Sequence, residues 1–291
     1  MTVVIGENSY LYYHVAHSLE EYIELIGKMT TDKRLYFRGL SDVKHDLSPS
    51  LGRCTDNLGK TWLTKESRLI QFAAQSFPEL FKADYPTTLL SNLQHYGINT
   101  RMMDVTGNAL VALYFACSSE KNRDKDGKVV IFEGLPVSTY DPYANIMADT
   151  YRLTGNIPTD IERYLYAVYN QAYSSTLVYP GWEKELNRKN PMISCVDKPI
   201  LIDVGYVNLR QRNQDGKFLL FPNRIVDGMV IDELVKITVA DDIVRAEIKI
   251  PKELKDSILE KFNYLGITDS FIYPDDVSVV MGQVKQLMMN E

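Results

Sequence analysis

The segment from Gly107 to Cys117 constrains the fold of this chain more than any other part of the sequence. Its apolar residues fall on nearly every side of a helix, so we predict a helix that is buried on more than one side. After a charged loop that ends at Asp126-Gly127, the apolar and β-branched run from Val129 to Phe132 predicts a central strand. A helix of this kind beside such a strand indicates the α+β class.

Hydrophobic periodicity and capping residues predict the remaining elements. We predict helices at 19–26 behind Ser18, at 64–77, 88–96, 251–265 and 275–289, and strands at 35–37, 199–204, 217–221, 236–239 and 244–250. Neither a repeat nor a linker composition divides the chain. The sequence therefore predicts one domain over 1–291, with a mixed central sheet, inserted helices and a helical, tyrosine-rich insert at about 138–180.

Composition excludes several classes of protein. A hydrophobic fraction of 45% and a charged fraction of 24% are typical of a water-soluble globular chain. No apolar run approaches the roughly 18 residues of a membrane span, so we predict a cytoplasmic protein without a membrane partner. Three widely spaced cysteines and four histidines show no pattern of metal ligands, and the net charge of −6 argues against a protein that coats nucleic acid.

Three segments place charged residues in apolar surroundings, where an unpaired charge is costly. The first runs from Tyr36 to Gly39. Arg38 ends a predicted buried strand, and we interpret Gly39 as a residue that lets a ligand approach the backbone. Such an arginine suits recognition of a phosphate or a carboxylate. The alternative is a structural ion pair that only braces the fold.

The second segment, from Gln94 to Asn108, contains His95, Arg101 and Asp104. One interpretation is that these residues brace the scaffold, with Asp104 paired either with Arg101 or with Arg38. The other is that they belong to a binding site. His95 is a candidate general base, or simply a satisfied polar group at a helix end.

The third segment, from Arg210 to Phe218, is a polar loop that turns at Asp215-Gly216 into an apolar strand. A plain hairpin turn would account for it without any functional role.

In this order, the three segments resemble the FRG-domain family of bacterial proteins, which is named for its Phe-Arg-Gly tripeptide. The similarity covers the following stretches: Tyr36-Phe37-Arg38-Gly39, Leu47-Ser48-Pro49-Ser50-Leu51-Gly52-Arg53, Glu66, Gln94-His95-Tyr96-Gly97, Thr100-Arg101-Met102-Met103-Asp104-Val105-Thr106, Ala112-Leu113-Tyr114-Phe115-Ala116, Gln214-Asp215-Gly216-Lys217-Phe218, Ile248-Lys249-Ile250-Pro251-Lys252, Gly266-Ile267 and Tyr273-Pro274. The chain departs from the family pattern at Asn99, Met102, Met103 and Val105, where the family usually has proline, leucine, leucine and tryptophan. These departures concern packing more than chemistry.

A more distant resemblance links the chain to ADP-ribosyltransferases of the Arg-Ser-Glu class, whose first strand carries an aromatic-Arg-Gly tripeptide. It implies an ADP-ribosyltransferase-like core and NAD as a substrate. It also implies a binding site made of Arg38, Gly39, Thr100, Arg101 and Thr106, with Tyr36 or Tyr96 stacking on the nicotinamide, and a catalytic set of Arg38, Asp104, Gln214 and Asp215. Where that class has a catalytic glutamate this chain has Gln214-Asp215, so the carboxylate would come from Asp215, Asp104 or Glu233.

The resemblance implies an NAD-dependent toxin or antiphage-defence effector that modifies a protein or a nucleic acid. A neutralising antitoxin would then be its partner. The alternative is a non-catalytic binding module, in which Arg38, Arg101 and Asp104 form a buried network that shapes a pocket or a protein interface. A hydrolase or nuclease is disfavoured, because no metal cluster and no set of nucleophile, base and orienting group is visible in the sequence.

Overall fold

The computed structural model describes residues 2–6, 9–29, 32–55, 62–149, 159–160, 197–206, 208–238 and 241–274. Its strands are β1 (Thr2–Gly6), β2 (Ser9–Val15), β3 (Leu35–Leu40), β4 (Met102–Thr106), β5 (Gly127–Glu133), β6 (Val137–Ser138), β7 (Thr159–Asp160), β8 (Ile200–Asp203), β9 (Gly216–Leu220), β10 (Asn223–Val226), β11 (Met229–Leu234) and β12 (Val244–Ile250). Its α-helices are α1 (Leu19–Gly27), α2 (Ser50–Arg53), α3 (Glu66–Ser76), α4 (Pro86–His95), α5 (Ala109–Cys117), α6 (Pro142–Asp149), α7 (Leu209–Asn213), α8 (Lys255–Tyr264) and α9 (Asp269–Ile272).

A nine-stranded sheet forms the centre of the molecule, with the strand order β1-β2-β12-β5-β3-β4-β9-β8-β6. Most neighbouring strands are antiparallel, whereas β12 pairs with β2 in parallel and β6 pairs with β8 in parallel. A smaller sheet has the order β10-β11-β7. The prediction of a mixed central sheet with inserted helices is thereby confirmed.

Helix α5 is the centre of the packing on one face of the large sheet. It begins at Asn108, whose side-chain oxygen accepts the backbone N–H groups of Leu110 and Val111 at 3.0 and 3.4 Å. Val111, Ala112, Leu113 and Ala116 are all fully buried, as the apolar pattern predicted. The alternation of β5 divides its side chains between the two faces. Val129 and Ile131 pack in the cluster around α5, and Val130 and Phe132 pack in the cluster on the opposite face.

Two glycines let α5 rest directly on the sheet. A Cβ atom added to Gly39 in β3 would lie 1.8 Å from the carbonyl oxygen of Ala112, and one added to Gly127 in β5 would lie 2.6 Å from that of Ala116. A side chain at either position would therefore collide with the backbone of the helix. This contact corrects our interpretation of Gly39, because it is the helix, rather than a ligand, that requires a glycine there.

Most of the predicted elements are present, with shifts of a few residues at their ends. The prediction of a strand at 236–239 is wrong. In its described part, 236–238, a single bridge joins Ile237 to Leu47 and no strand forms. The helix predicted from Pro251 begins at Lys255, after a 3₁₀ turn at Lys252–Leu254, and ends before Gly266, whose φ is +76°. Hydrophobic periodicity did not predict strands β1, β2, β4, β6, β7, β10 and β11. Strand β7 lies within the insert that was predicted to be helical, whereas α6, at its start, agrees with that prediction.

Part of the chain lies outside the described residues, and so do the predictions that fall there. These are the terminal helix at 275–289 and most of the insert at about 138–180, of which the structure describes 138–149 and 159–160. The division of the chain into domains stays a prediction. None of the described helices is long and apolar enough to cross a membrane.

Candidate functional site

A gap between β3 and β4 opens the sheet near its centre. Along β3, pairing with β5 extends from Leu35 to Leu40, but pairing with β4 is confined to Phe37 and Thr106. Beyond that pair the two strands separate, and a cleft of about 270 Å³ lies between them. We call it the arginine cleft, since the described residues that line it include Arg38, Arg53 and Arg210, together with His45, Asp104, Thr106, Phe115 and Gln214.

Arg38 reaches from β3 across the gap. One of its terminal nitrogens, Nη1, donates a hydrogen bond of 2.5 Å to the backbone oxygen of Asp104. Its Nε atom is buried and has no hydrogen-bond partner among the described residues. Burial lowers the pKa of Arg38, the Asp104 carboxylate raises it, and the positive charge of Arg53 lowers it. An arginine remains charged in spite of such shifts, so the cleft holds a cation with an unused donor.

The chain after β3 positions Arg53 and His45 on one wall of the cleft. The carboxylate of Asp42 accepts the backbone N–H of Lys44 at 2.9 Å, which orders the turn before His45. Helix α2 follows, and the backbone N–H of Leu51 donates to the carbonyl oxygen of Thr100 at 3.3 Å. Arg53 is the last residue of α2, and it is exposed.

The third polar segment forms the opposite wall. Asn208 caps α7 by accepting the backbone N–H of Gln211 at 2.7 Å, and this helix carries Arg210 into the cleft. The guanidinium of Arg210 lies 4.9 Å from the centre of the Tyr273 ring. At the end of α7, the side-chain amide of Gln214 donates to the backbone oxygen of Ile272 at 2.9 Å.

A hydrogen bond joins β4 to the third segment. The hydroxyl of Thr106 donates to the backbone oxygen of Gln214, and it also accepts the backbone N–H of Asn108 at 3.0 Å. Asp104, two residues earlier on the same strand, has an exposed side chain and is the only carboxylate among the described residues that line the cleft. Segments that are far apart in sequence thus meet at one cleft, which brings together Arg38, Gly39, Asp104, Thr106 and Gln214 from the predicted site.

Arg101 lies elsewhere, in a buried ion pair with Glu66. Its Nε and Nη2 atoms donate to the two carboxylate oxygens of Glu66 at 2.9 and 2.5 Å, and its Nη1 donates to the side chain of Asn223 at 2.9 Å. Only 1% of either charged side chain is exposed. The hypothesis that Arg101 pairs with Asp104 is therefore wrong, and Arg101 braces the contact between α3 and β10.

Thr100 and the two tyrosines are also absent from the described lining of the cleft. The Thr100 hydroxyl donates to Gln94 at 2.6 Å and accepts the backbone N–H of Met102 at 3.2 Å. Tyr36 is 1% exposed and packs in the cluster on the face of the sheet opposite α5. Tyr96 is 54% exposed, with its ring at an edge-on angle to Phe81.

Asp215 takes part in a separate polar cluster. It has a φ of +44°, and its carboxylate accepts hydrogen bonds from Arg34 at 2.9 Å and from the hydroxyl of Tyr206 at 2.6 Å. The second bond, with burial, raises the pKa of Tyr206. The backbone oxygen of Asp215 accepts the N–H of Gly107 at 3.0 Å, so Asp215 fixes the end of β4. Glu233 is paired with Arg224 at 2.6 Å, and neither Asp215 nor Glu233 is among the described residues that line the cleft.

Sequence reasoning did not single out Arg53, His45 or Arg210 as site residues. Arg210 begins the third polar segment, so a search for further cations in the segments with buried charge would have found it. Arg53 lies in the stretch from Leu47 to Arg53 that resembles the family, but the resemblance implied no role for it. His45 lies in a turn, which leaves no periodic pattern.

Comparison with known proteins identifies one family. The family model of the FRG domain matches residues 33–125, from just before β3 to the loop that precedes β5. No curated protein and no solved structure matches the chain. The matched range holds Arg38, Arg53 and Asp104 from the cleft, whereas Arg210 and Gln214 lie beyond it. The chain carries an FRG domain at residues 33–125.

Proposed function

We propose that this protein is an ADP-ribosyltransferase-like effector that binds NAD in the arginine cleft and transfers ADP-ribose to a macromolecule. The observation that carries the proposal is the buried Nε of Arg38, which has no partner among the described residues and lies in a cleft with two further arginines. A buried donor without a partner costs about 1–3 kcal/mol. An anionic ligand oxygen would supply the partner.

The charge of the cleft fits a pyrophosphate. Among the described lining residues, three guanidinium groups against one carboxylate leave an excess of two positive charges, before any contribution from His45. That is one charge for each phosphate of a dinucleotide. Guanidinium groups also match phosphate oxygens in geometry, because they donate two parallel hydrogen bonds.

The size of the cleft supports a ligand that extends beyond it. Its volume of about 270 Å³ is near the lower limit of the ~300–1,000 Å³ of sites that enclose drug-sized ligands. Phosphates and one sugar would occupy the cleft, and the rest of a dinucleotide would lie outside.

Asp104 is the group that we assign to the chemical step. Cleavage of the bond between nicotinamide and ribose develops positive charge on the sugar, and a nearby carboxylate stabilises that charge. Asp215 is engaged with Arg34 and Tyr206, and Gln214 is an amide that holds the backbone of Ile272. Asp104 therefore takes the role that a glutamate near Gln214 would have.

Calorimetric titration with NAD tests the binding step. We expect Arg38→Ala to weaken binding about 10- to 150-fold, which corresponds to the roughly 1.5–3 kcal/mol of a hydrogen bond to a charged group. Arg123→Ala is the matched control, because Arg123 is a half-exposed arginine that pairs with Asp256 and is not among the described lining residues. Equal affinity of wild type and Arg38→Ala, or no binding by wild type, would contradict the proposal.

Prolonged incubation with NAD separates a second candidate function, a binding module without turnover. The amide of Gln214, already bound to Ile272 where the transferases place a glutamate, favours it. Tight NAD binding without release of nicotinamide during prolonged incubation would identify this module and exclude the transferase.

A further inference from the structure

The backbone of α9 is held against α7 by two side-chain amides. Asn213 donates to the backbone oxygen of Phe271, and Gln214 donates to that of Ile272, both at 2.9 Å. In each pair the partners are 58 positions apart in sequence. Ile272 is fully buried in the cluster around α5, so this part of the chain is also anchored in the core. Together these contacts fix the backbone immediately before Tyr273.

Tyr273 presents its ring to Arg210, one of the arginines of the cleft. The guanidinium lies 4.9 Å from the centre of the ring, within the ~6 Å range of a cation–π contact. Because Arg210 precedes Asn213 and Gln214 by three and four positions, the three side chains lie on one face of α7 and its C-terminal end. The face that tethers the chain before Tyr273 is therefore the face that carries Arg210.

Phe115 also packs against the Tyr273 ring. The two ring centres are 6.3 Å apart, and the rings are nearly perpendicular, with an angle of 75° between their planes. Tyr273 is not among the described residues that line the cleft, so it lies behind the surface that a ligand would touch. Arg210 and Phe115 do line the cleft, and Tyr273 acts on a ligand through them.

Stacking orders an arginine without using its hydrogen-bond donors. The N–H groups of a guanidinium lie in its plane and point outward from its edges, whereas an aromatic ring contacts its face. A long side chain loses rotamer freedom when it binds a phosphate, and one that a ring already restricts has less freedom to lose. The Tyr273 ring therefore favours binding of an anion by Arg210.

We propose that Tyr273 is a positioning residue of the NAD site, that its ring holds the guanidinium of Arg210 towards the pyrophosphate, and that Gln214 tethers it. This inference rests on the function proposed above. It gives Gln214, which stands where the transferases have a glutamate, a part in binding instead of in the chemical step. It also extends the site to a segment beyond residues 33–125, the range that the family model matches.

The test is a double-mutant cycle in the full chain, with calorimetric titration of NAD as its measurement. Its variants are Tyr273→Leu, Arg210→Ala and the combination of the two. Leucine keeps an apolar side chain against Phe115 but removes the ring from Arg210. Tyr264→Leu is the matched control, because it makes the same substitution at a tyrosine of α8 that is 84% exposed and is not among the described lining residues.

We expect Tyr273→Leu to weaken NAD binding about 5- to 30-fold, the equivalent of the ~1–2 kcal/mol of a cation–π contact that is partly or fully removed from water. Tyr264→Leu should bind NAD as wild type does. In the Arg210→Ala protein, Tyr273→Leu should cause no further loss, because the ring acts through that guanidinium. Damage to the fold would instead add to the loss caused by Arg210→Ala.

A series of phenylalanines with one to three ring fluorines at position 273 separates the electrostatic contact from packing. Tyr273→Phe keeps the ring and should bind NAD nearly as well as wild type. Each fluorine withdraws negative charge from the face of the ring while its shape is kept, so affinity should fall stepwise. This series decides the question even if Tyr273→Leu does not fold.

Equal affinity throughout the fluorinated series, or additive losses in the cycle, would overturn the role of Tyr273. Absence of NAD binding in wild type would refute the proposed function itself, and this inference with it. Binding that Arg38→Ala weakens and Tyr273→Leu leaves intact would overturn this inference alone.

Discussion

A methyl group added to Gly39 would collide with the backbone of α5. The new carbon would lie 1.8 Å from the carbonyl oxygen of Ala112 and 2.8 Å from the backbone nitrogen of Ala116, whereas ordinary contacts begin at 3.4 Å. Relief requires a shift of about 1.6 Å, the difference between 3.4 and 1.8 Å. The helix is packed between the sheet and α8, with Ala112 and Ala116 fully buried, so it has little room to move.

We therefore expect Gly39→Ala to lower the free energy of unfolding by about 3 kcal/mol or more, at the upper end of overpacking costs. Gly27→Ala is the matched control. It makes the same substitution at the last residue of α1, where an added Cβ meets nothing within 4 Å. There the stability should stay the same or rise by up to ~1 kcal/mol, because alanine favours helix.

Urea denaturation followed by far-ultraviolet circular dichroism measures both variants, with the slope of each transition used to check two-state behaviour. A Gly39→Ala protein within about 0.5 kcal/mol of wild type would show that α5 does not rest on this glycine. If such a variant remained stable and bound NAD more weakly, the first interpretation of Gly39, as a residue that lets a ligand approach, would be the correct one.

Three further predictions concern single side chains. Asp104→Asn should slow release of nicotinamide about 100-fold or more in a fluorescence assay, while NAD affinity stays near the wild-type value. The reason is that the carboxylate acts on charge that develops only during the reaction. A shift in affinity alone would count against this role. Arg101→Met should cost about 3–5 kcal/mol in urea denaturation, and a double variant that also carries Glu66→Leu should recover part of that loss, since it is the unpaired charge that is expensive. Burial raises the pKa of Cys117 to about 12, so iodoacetamide near about pH 8 should modify it only after unfolding, as mass spectrometry would show, whereas rapid labelling in the native protein would contradict its burial.

The elements with a local signal were predictable from the sequence. The N-cap at Ser18 is present, with its hydroxyl accepting the N–H of Glu21, and the apolar run of β5 lies in the middle of the sheet. Strand β2 pairs with its neighbour β1, but its place inside the large sheet depends on β12, from which most of the chain separates it. Long-range pairing leaves no periodic pattern that identifies the partner.

The residues of the candidate site were likewise only partly predictable from the sequence. Arg38 and Arg101 are the same residue type in similarly apolar surroundings, and the sequence gives no reason to assign them different roles. Their hydrogen-bond partners differ because α3 brings the Glu66 carboxylate to Arg101, whereas Arg38, at the gap beside β4, donates to a backbone oxygen. Only the tertiary fold decides which arginine is neutralised.

The Phe-Arg-Gly tripeptide serves both the packing of α5 and the proposed binding of NAD, because side chains alternate along a strand. Phe37 packs in the cluster around α5 and Gly39 receives that helix, whereas Arg38, between them, reaches into the gap towards β4. The contact with α5 holds β3 in place at the point where it leaves β4, and so fixes the position from which Arg38 extends. A change that displaces α5 should therefore weaken ligand binding through Arg38 even though it touches no ligand. On this argument, the loss of NAD affinity in Gly39→Ala should follow its loss of stability, and second-site changes that restore the packing of α5 should restore both.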